Sequence, residues 1–149
     1  PRGWFTLADV GPDGTIWLGS NDGLARFADG EWEAWRSDDI LGTSRSFGYD
    51  HGGDDDYDYL GEMQFEVAPD GSLWFSPWRM PDPVEERLVC DGLAHFDGQT
   101  LDRFLPGQCI AMDIAADGSV WALADEKEGK DLYVITPEAV AASVEEPEQ

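Results

Sequence analysis

With 149 residues, 42% of them hydrophobic and seven of them tryptophan, the chain holds enough apolar surface for one ordinary core, which excludes a generically disordered segment. Its formal charge of −23, from 9 basic against 32 acidic residues, repels phosphate backbones and anionic membranes, so nucleic acid is a poor partner. The acidity reads first as solubility or adaptation to a salty or extracellular medium, ahead of a dedicated cation-binding role. No run of 18 apolar residues occurs, so no transmembrane helix or membrane insertion is predicted. The chain starts at Pro1 without a methionine, and a leader or preceding domain is expected upstream of it.

Residues 4 to 10 predict a first strand, followed by the turn Gly11-Pro12-Asp13-Gly14, in which proline presets φ and glycine accepts φ > 0. Thr15 to Gly19 predicts a second strand, Leu24 to Phe27 a third after Asp22-Gly23, and Glu31 to Trp35 a fourth after Asp29-Gly30. The plan then repeats with Phe65 to Ala68, Ser72 to Ser76, Leu93 to Phe96 and Leu101 to Leu105. A third unit offers Ile110 to Ala115, Ser119 to Leu123 and Leu132 to Ile135, and then a helical or frayed acidic tail over 137–149. Three stretches mark the repeat: Asp13-Gly14-Thr15-Ile16-Trp17, Asp70-Gly71-Ser72-Leu73-Trp74 and Asp117-Gly118-Ser119-Val120-Trp121. The segment Asp22-Gly23-Leu24-Ala25-Arg26-Phe27 likewise returns as Asp91-Gly92-Leu93-Ala94-His95-Phe96.

The marks lie 57 residues apart, then 47, and both intervals exceed the span of about 40–45 residues of a four-stranded propeller blade. Insertions are therefore expected at 37–63 and at 76–90. The units fall at about 4–36, 64–105 and 109–136, the last of them incomplete. Taken together, the pattern resembles the two-component-regulator propeller repeat of bacterial ligand-sensing β-propellers and is similar to the blades of streptogramin-lyase-like propellers. The resemblance implies an all-β, β-propeller-like fold. Propellers close with four to eight blades, so three units need completion. The remaining blades of a longer ring, a second copy forming a homodimer, and a partner on an open arc all meet that need. The chain ends favour the first, with this chain as the C-terminal part of the ring.

Strand alternation puts the turns at Asp13, Asp70 and Asp117 on one side of the sheets. Both insertions, Cys90 and Cys109 fall on the other, where loops on a rigid scaffold carry binding residues. Trp78, outside the repeat and next to Arg79, is a candidate for stacking or cation–π binding, with packing of its own loop as the competing role. His51, Tyr57 and Tyr59 join it as candidate partner-binding residues. Asp54, Asp56 and Asp58 alternate like the ligands of a calcium loop, but Tyr59 stands where a glycine should follow and no glutamate closes the loop, which favours a solvated acidic loop over a Ca2+ site. No other cofactor is expected. A Cys90–Cys109 disulfide would staple the second insertion to the start of the third unit and needs an oxidising compartment, whereas two free thiols would not.

His95 takes the repeat position of Arg26, as a variable strand site would. No nucleophile elbow, zinc-protease helix or phosphate loop is present, and no catalytic residue is assigned. The resulting expectation is a non-enzymatic ligand-sensing or protein-interaction module, bacterial and secreted or extracytoplasmic, that takes a protein or small-molecule ligand on its loop face. The alternative is a piece of a streptogramin-lyase-like enzyme, a class for which the resemblance implies histidines, a glutamate and a divalent cation, partly supplied from outside this chain.

Overall fold

The computed structural model describes residues 5–20, 23–41, 45–46, 64–79, 89–126 and 129–140. Strands β1 (Phe5–Val10), β2 (Ile16–Ser20), β3 (Gly23–Ala28) and β4 (Glu31–Arg36) form an antiparallel sheet in chain order. A short helix α1 (Ser37–Leu41) and strand β5 (Arg45–Ser46) follow. The second sheet holds β6 (Phe65–Val67), β7 (Leu73–Phe75), β10 (Leu93–Phe96) and β11 (Leu101–Phe104), again antiparallel between neighbours. Between β7 and β10 lie the short strands β8 (Trp78–Arg79) and β9 (Val89–Cys90). The third sheet has three strands, β12 (Cys109–Ile114), β13 (Val120–Glu126) and β14 (Gly129–Ile135), and none of these sheets closes on itself.

The recurring Asp-Gly turns have one local chemistry. Asp13 Oδ1 accepts the Thr15 amide at 3.0 Å, Asp70 Oδ1 the Ser72 amide at 3.0 Å and Asp117 Oδ1 the Ser119 amide at 2.9 Å. Each carboxylate thus mimics a backbone turn, and Gly14, Gly71 and Gly118 take the left-handed φ near +86° that the reversal requires. The motif is punctuation for the fold.

Pairing register sorts the side chains. On sheet one, Asp9, Trp17, Arg26 and Glu33 lie in one cross-strand row and point the same way, while Val10, Ile16, Phe27 and Trp32 point the other way. The Trp17 face packs on sheet two, in a core with Leu24, Val67, Leu73, Phe75 and Phe96. The Trp74 face of sheet two packs in turn on sheet three, with Leu93, Ile110, Met112, Val120 and Ile135. Trp17 and Trp74 are 0% and 2% exposed. Trp121, at the same repeat position, is 46% exposed.

Two local features depart from the sequence pattern. Helix α1 occupies the start of the first insertion, where the apolar Ile40 and Leu41 find the Trp17 core. The β13–β14 hairpin extends to Glu126 and Gly129, past the predicted limits at Leu123 and Leu132. Residues 124–131 are too polar to show a strand alternation, and the backbone ladder carries the pairing there. After β14, where a helical or frayed tail is expected, the chain makes one helical turn at 137–140, in which Thr136 caps the Ala139 amide and Val140 packs on the second core.

Candidate functional site

The two insertions meet. Strand β5, from the first, pairs antiparallel with β8, from the second, and β8 pairs with β9. Trp78 and Arg79 therefore sit on the central strand of a small sheet built from both interruptions of the repeat, in register with Ser46 and Arg45 on one side and Cys90 and Val89 on the other. Its base is closed by backbone hydrogen bonds from Ser76 N to Gln64 O and from Asp91 N to Pro77 O, each 3.0 Å. Helix α1 ties the leading end of the first insertion to the Trp17 core.

Cys90 and Cys109 are joined in a disulfide with their Cα atoms 4.9 Å apart, which links β9 of the small sheet to β12 of sheet three. The adjoining residues explain why the thiols come together. The carboxylate of Asp91 is buried, receives the Arg103 guanidinium at 2.7 Å and accepts the Gly107 amide at 3.2 Å. Gly92 N donates to Gln108 O at 2.8 Å. A Cβ on Gly92 would stand 2.5 Å from Leu105 O, so the chain closes up here only because position 92 has none. The loop before Cys109 is thereby clamped against the start of β10.

Of the residues singled out in the sequence, His51, Asp54, Asp56, Tyr57, Asp58 and Tyr59 lie outside the described residues. Trp78 and Arg79 share the small sheet with the disulfide-bonded Cys90. Among the described residues, no group of three His, Cys, Asp or Glu side chains is placed to hold a metal ion.

Sequence reasoning missed a buried polar constellation behind the Trp74 seam. His95 Nε2 lies 2.9 Å from Ser72 Oγ, and His95 Nδ1 lies 3.4 Å from Asp102 Oδ2, with all three side chains buried. The outline is that of a serine–histidine–aspartate triad, but the proton bookkeeping is not. The Ser72 hydroxyl donates to Asp70 Oδ1 at 2.6 Å, so Ser72 accepts from His95 and has no proton for the imidazole to take. Its signal was in the repeat: Ser72, His95 and Asp102 replace Thr15, Arg26 and Glu33.

A second set missed is the acid on the first strand of each sheet. Asp9 Oδ2 accepts the Val67 amide at 2.8 Å across the first seam. Glu66, at the same repeat position, faces the Ile114 backbone across the second, where the Ile114 amide donates to Asp113 Oδ1 at 3.0 Å. Burial, then the carboxylates of Asp113 and Asp9, push the Glu66 pKa up from the ordinary 4.5, and the nearby Ile114 backbone opposes them in part. Asp117 is held low by the Ser119 amide and hydroxyl. No family model, no curated protein and no solved structure matches this chain.

Proposed function

We propose that the chain is part of a β-propeller-type scaffold that binds a protein or small-molecule ligand, without catalysis, on the face where its insertions gather. One observation carries the reading: two segments that interrupt the repeat at separate places pair with each other in a small sheet that Cys90–Cys109 staples to sheet three. Tolerated surface loops have no reason to form a shared sheet, whereas a recognition surface on a rigid frame needs one. The successive packing of antiparallel sheets supports the propeller-type scaffold. The spent Ser72 hydroxyl supports the non-catalytic reading, and the disulfide supports an extracytoplasmic setting.

The test is a thermal-shift screen of the oxidised chain against short peptides, oligosaccharides and Ca2+. Hits are expected to disappear in Trp78→Ala and to weaken in the Cys90→Ser/Cys109→Ser double variant, while Asp117→Asn, on the opposite side, keeps them. Hits that survive both the Trp78 and the cysteine changes refute the proposed face.

A further inference from the structure

Both seams are built by one rule: the tryptophan face of a sheet covers the opposite face of the next. The rule leaves two faces over. On sheet three the uncovered face is the tryptophan face, where Trp121 and Leu123 lie in register with Val134 and Leu132, the last of them 61% exposed. On sheet one it is the opposite face. There Val10, Ile16, Phe27 and Trp32 form an unbroken apolar row across four strands, with Val10 60% and Trp32 57% exposed. A second row, Ala8, Leu18, Ala25 and Ala34, runs beside it. Neither row contains a charge, in a chain with 32 acidic residues.

The first row occupies the repeat positions of Val67, Leu73, Phe96 and Leu101 on sheet two, and those are the residues that sheet one covers. Sheet one is thus built to receive a tryptophan face. The free one in this chain belongs to sheet three, on the far side of sheet two. We propose that a second copy of the chain covers both faces: the Trp121 face of one copy seats on the Val10 and Trp32 face of the other, head to tail, and two such contacts close a ring of six sheets. A heterologous contact of this kind closes when its rotation allows, and six lies within the range of four to eight units in closed propellers. The contact continues an interface the molecule already makes twice.

The first seam states what the contact contains. The Trp17 indole donates to Gly71 O at 2.9 Å, so the Trp121 indole donates to Gly14 O of the second copy. Asp9 accepts from Val67 N, so Asp113, at the same repeat position, accepts from Val10 N of the second copy. A further observation agrees. A Cβ on Gly71 would meet the Asp13 carboxylate of the neighbouring sheet at 2.7 Å, whereas nothing lies within 4 Å of the same position on Gly14, which has the same backbone conformation. The turn of sheet one lacks the neighbour that the turn of sheet two has.

The test is solution mass by light scattering and sedimentation on the whole chain over a wide concentration range, with far-ultraviolet circular dichroism to confirm folding. Wild type is expected at twice the 16.5 kDa chain mass. Trp121→Glu and Trp32→Glu are each expected to lose the two-copy species, and an equimolar mixture of the two variants to regain it, since one contact stays intact. If Trp121→Glu does not fold, Leu132→Lys on the same face replaces it. The proposal falls if wild type stays at single-copy mass, if Trp32→Glu keeps the wild-type mass, if the mixture stays at single-copy mass, or if mass grows without limit. The ligand screen on Trp78 reads a different face, so either result stands without the other.

Discussion

The two seams between the sheets use the same repeat positions and different chemistry. At the first, Arg26 lies over the rings of Trp17 and Trp35 with its carbon 5.3 and 5.5 Å from their centroids, pairs with Glu33, and reaches across to Asp97 O at 2.7 Å. At the second, His95 takes the arginine's place, packs on Trp74 at 4.8 Å and turns back to Ser72 and Asp102 of its own sheet. The first seam is joined by a permanent cation that stays partly in water. At the second, the His95 set is satisfied within one sheet, and the Met112 amide reaches across to Gln64 Oε1 at 3.1 Å. The difference teaches that the repeat conserves geometry, a residue that fills the space beside the tryptophan, and leaves the electrostatics free to follow local burial.

The largest expected effect tests whether the tryptophans carry both seams equally. Trp17→Ala and Trp74→Ala are each expected to lose roughly 3–5 kcal/mol in urea unfolding. The Trp17 loss is expected to be the larger, because its ring stacks on Trp35 and meets Phe96 edge-on. Equal losses would mean that the aromatic cluster adds nothing beyond buried area. Next comes the contrast between the polar groups. His95→Ala strands the buried carboxylate of Asp102 and should cost about 1–3 kcal/mol, insensitive to salt. Arg26→Ala removes a cation whose partner is exposed and should cost less than about 1 kcal/mol, shrinking as salt is added. The reverse order would invert the reading of the two seams.

The smallest effect belongs to Glu66. Its raised pKa means that the folded state holds the proton more tightly than the unfolded chain. The resulting stabilisation is present in acid, below the ordinary 4.5, and is lost as pH rises through the raised value. Glu66→Gln removes that loss. The variant is expected to be more stable than wild type near neutrality by on the order of a few tenths of a kcal/mol, and the gain should vanish in acid. A gain that persists in acid would point to packing instead of charge.

Much of the scaffold was legible because it is local. Alternation gives the strands, and Asp13-Gly14 and its copies give the turns, since a short carboxylate followed by glycine closes a reversal without outside help. The seams were half legible: three equivalent tryptophans announce packing, but which face each covers depends on the register between β2 and its neighbours. The Ser72–His95–Asp102 set was visible only as a substitution of Thr15, Arg26 and Glu33, because its members are brought together by cross-strand pairing across 30 residues. Least legible were α1 and the β5–β8–β9 sheet. Strands of two residues have no periodicity to detect, and the partner of β5 lies in a different interruption of the repeat.

The hydrogen bond from Val67 N to Asp9 has a consequence for solubility. A first strand turns one row of amides outward, and such an edge is a template on which a foreign strand can build. Here the outward amide is already engaged by a carboxylate from the adjacent sheet. Asp9 is therefore a fixed stopper on that β-edge, and neutralising it should expose a site for strand addition that a general loss of surface charge would not.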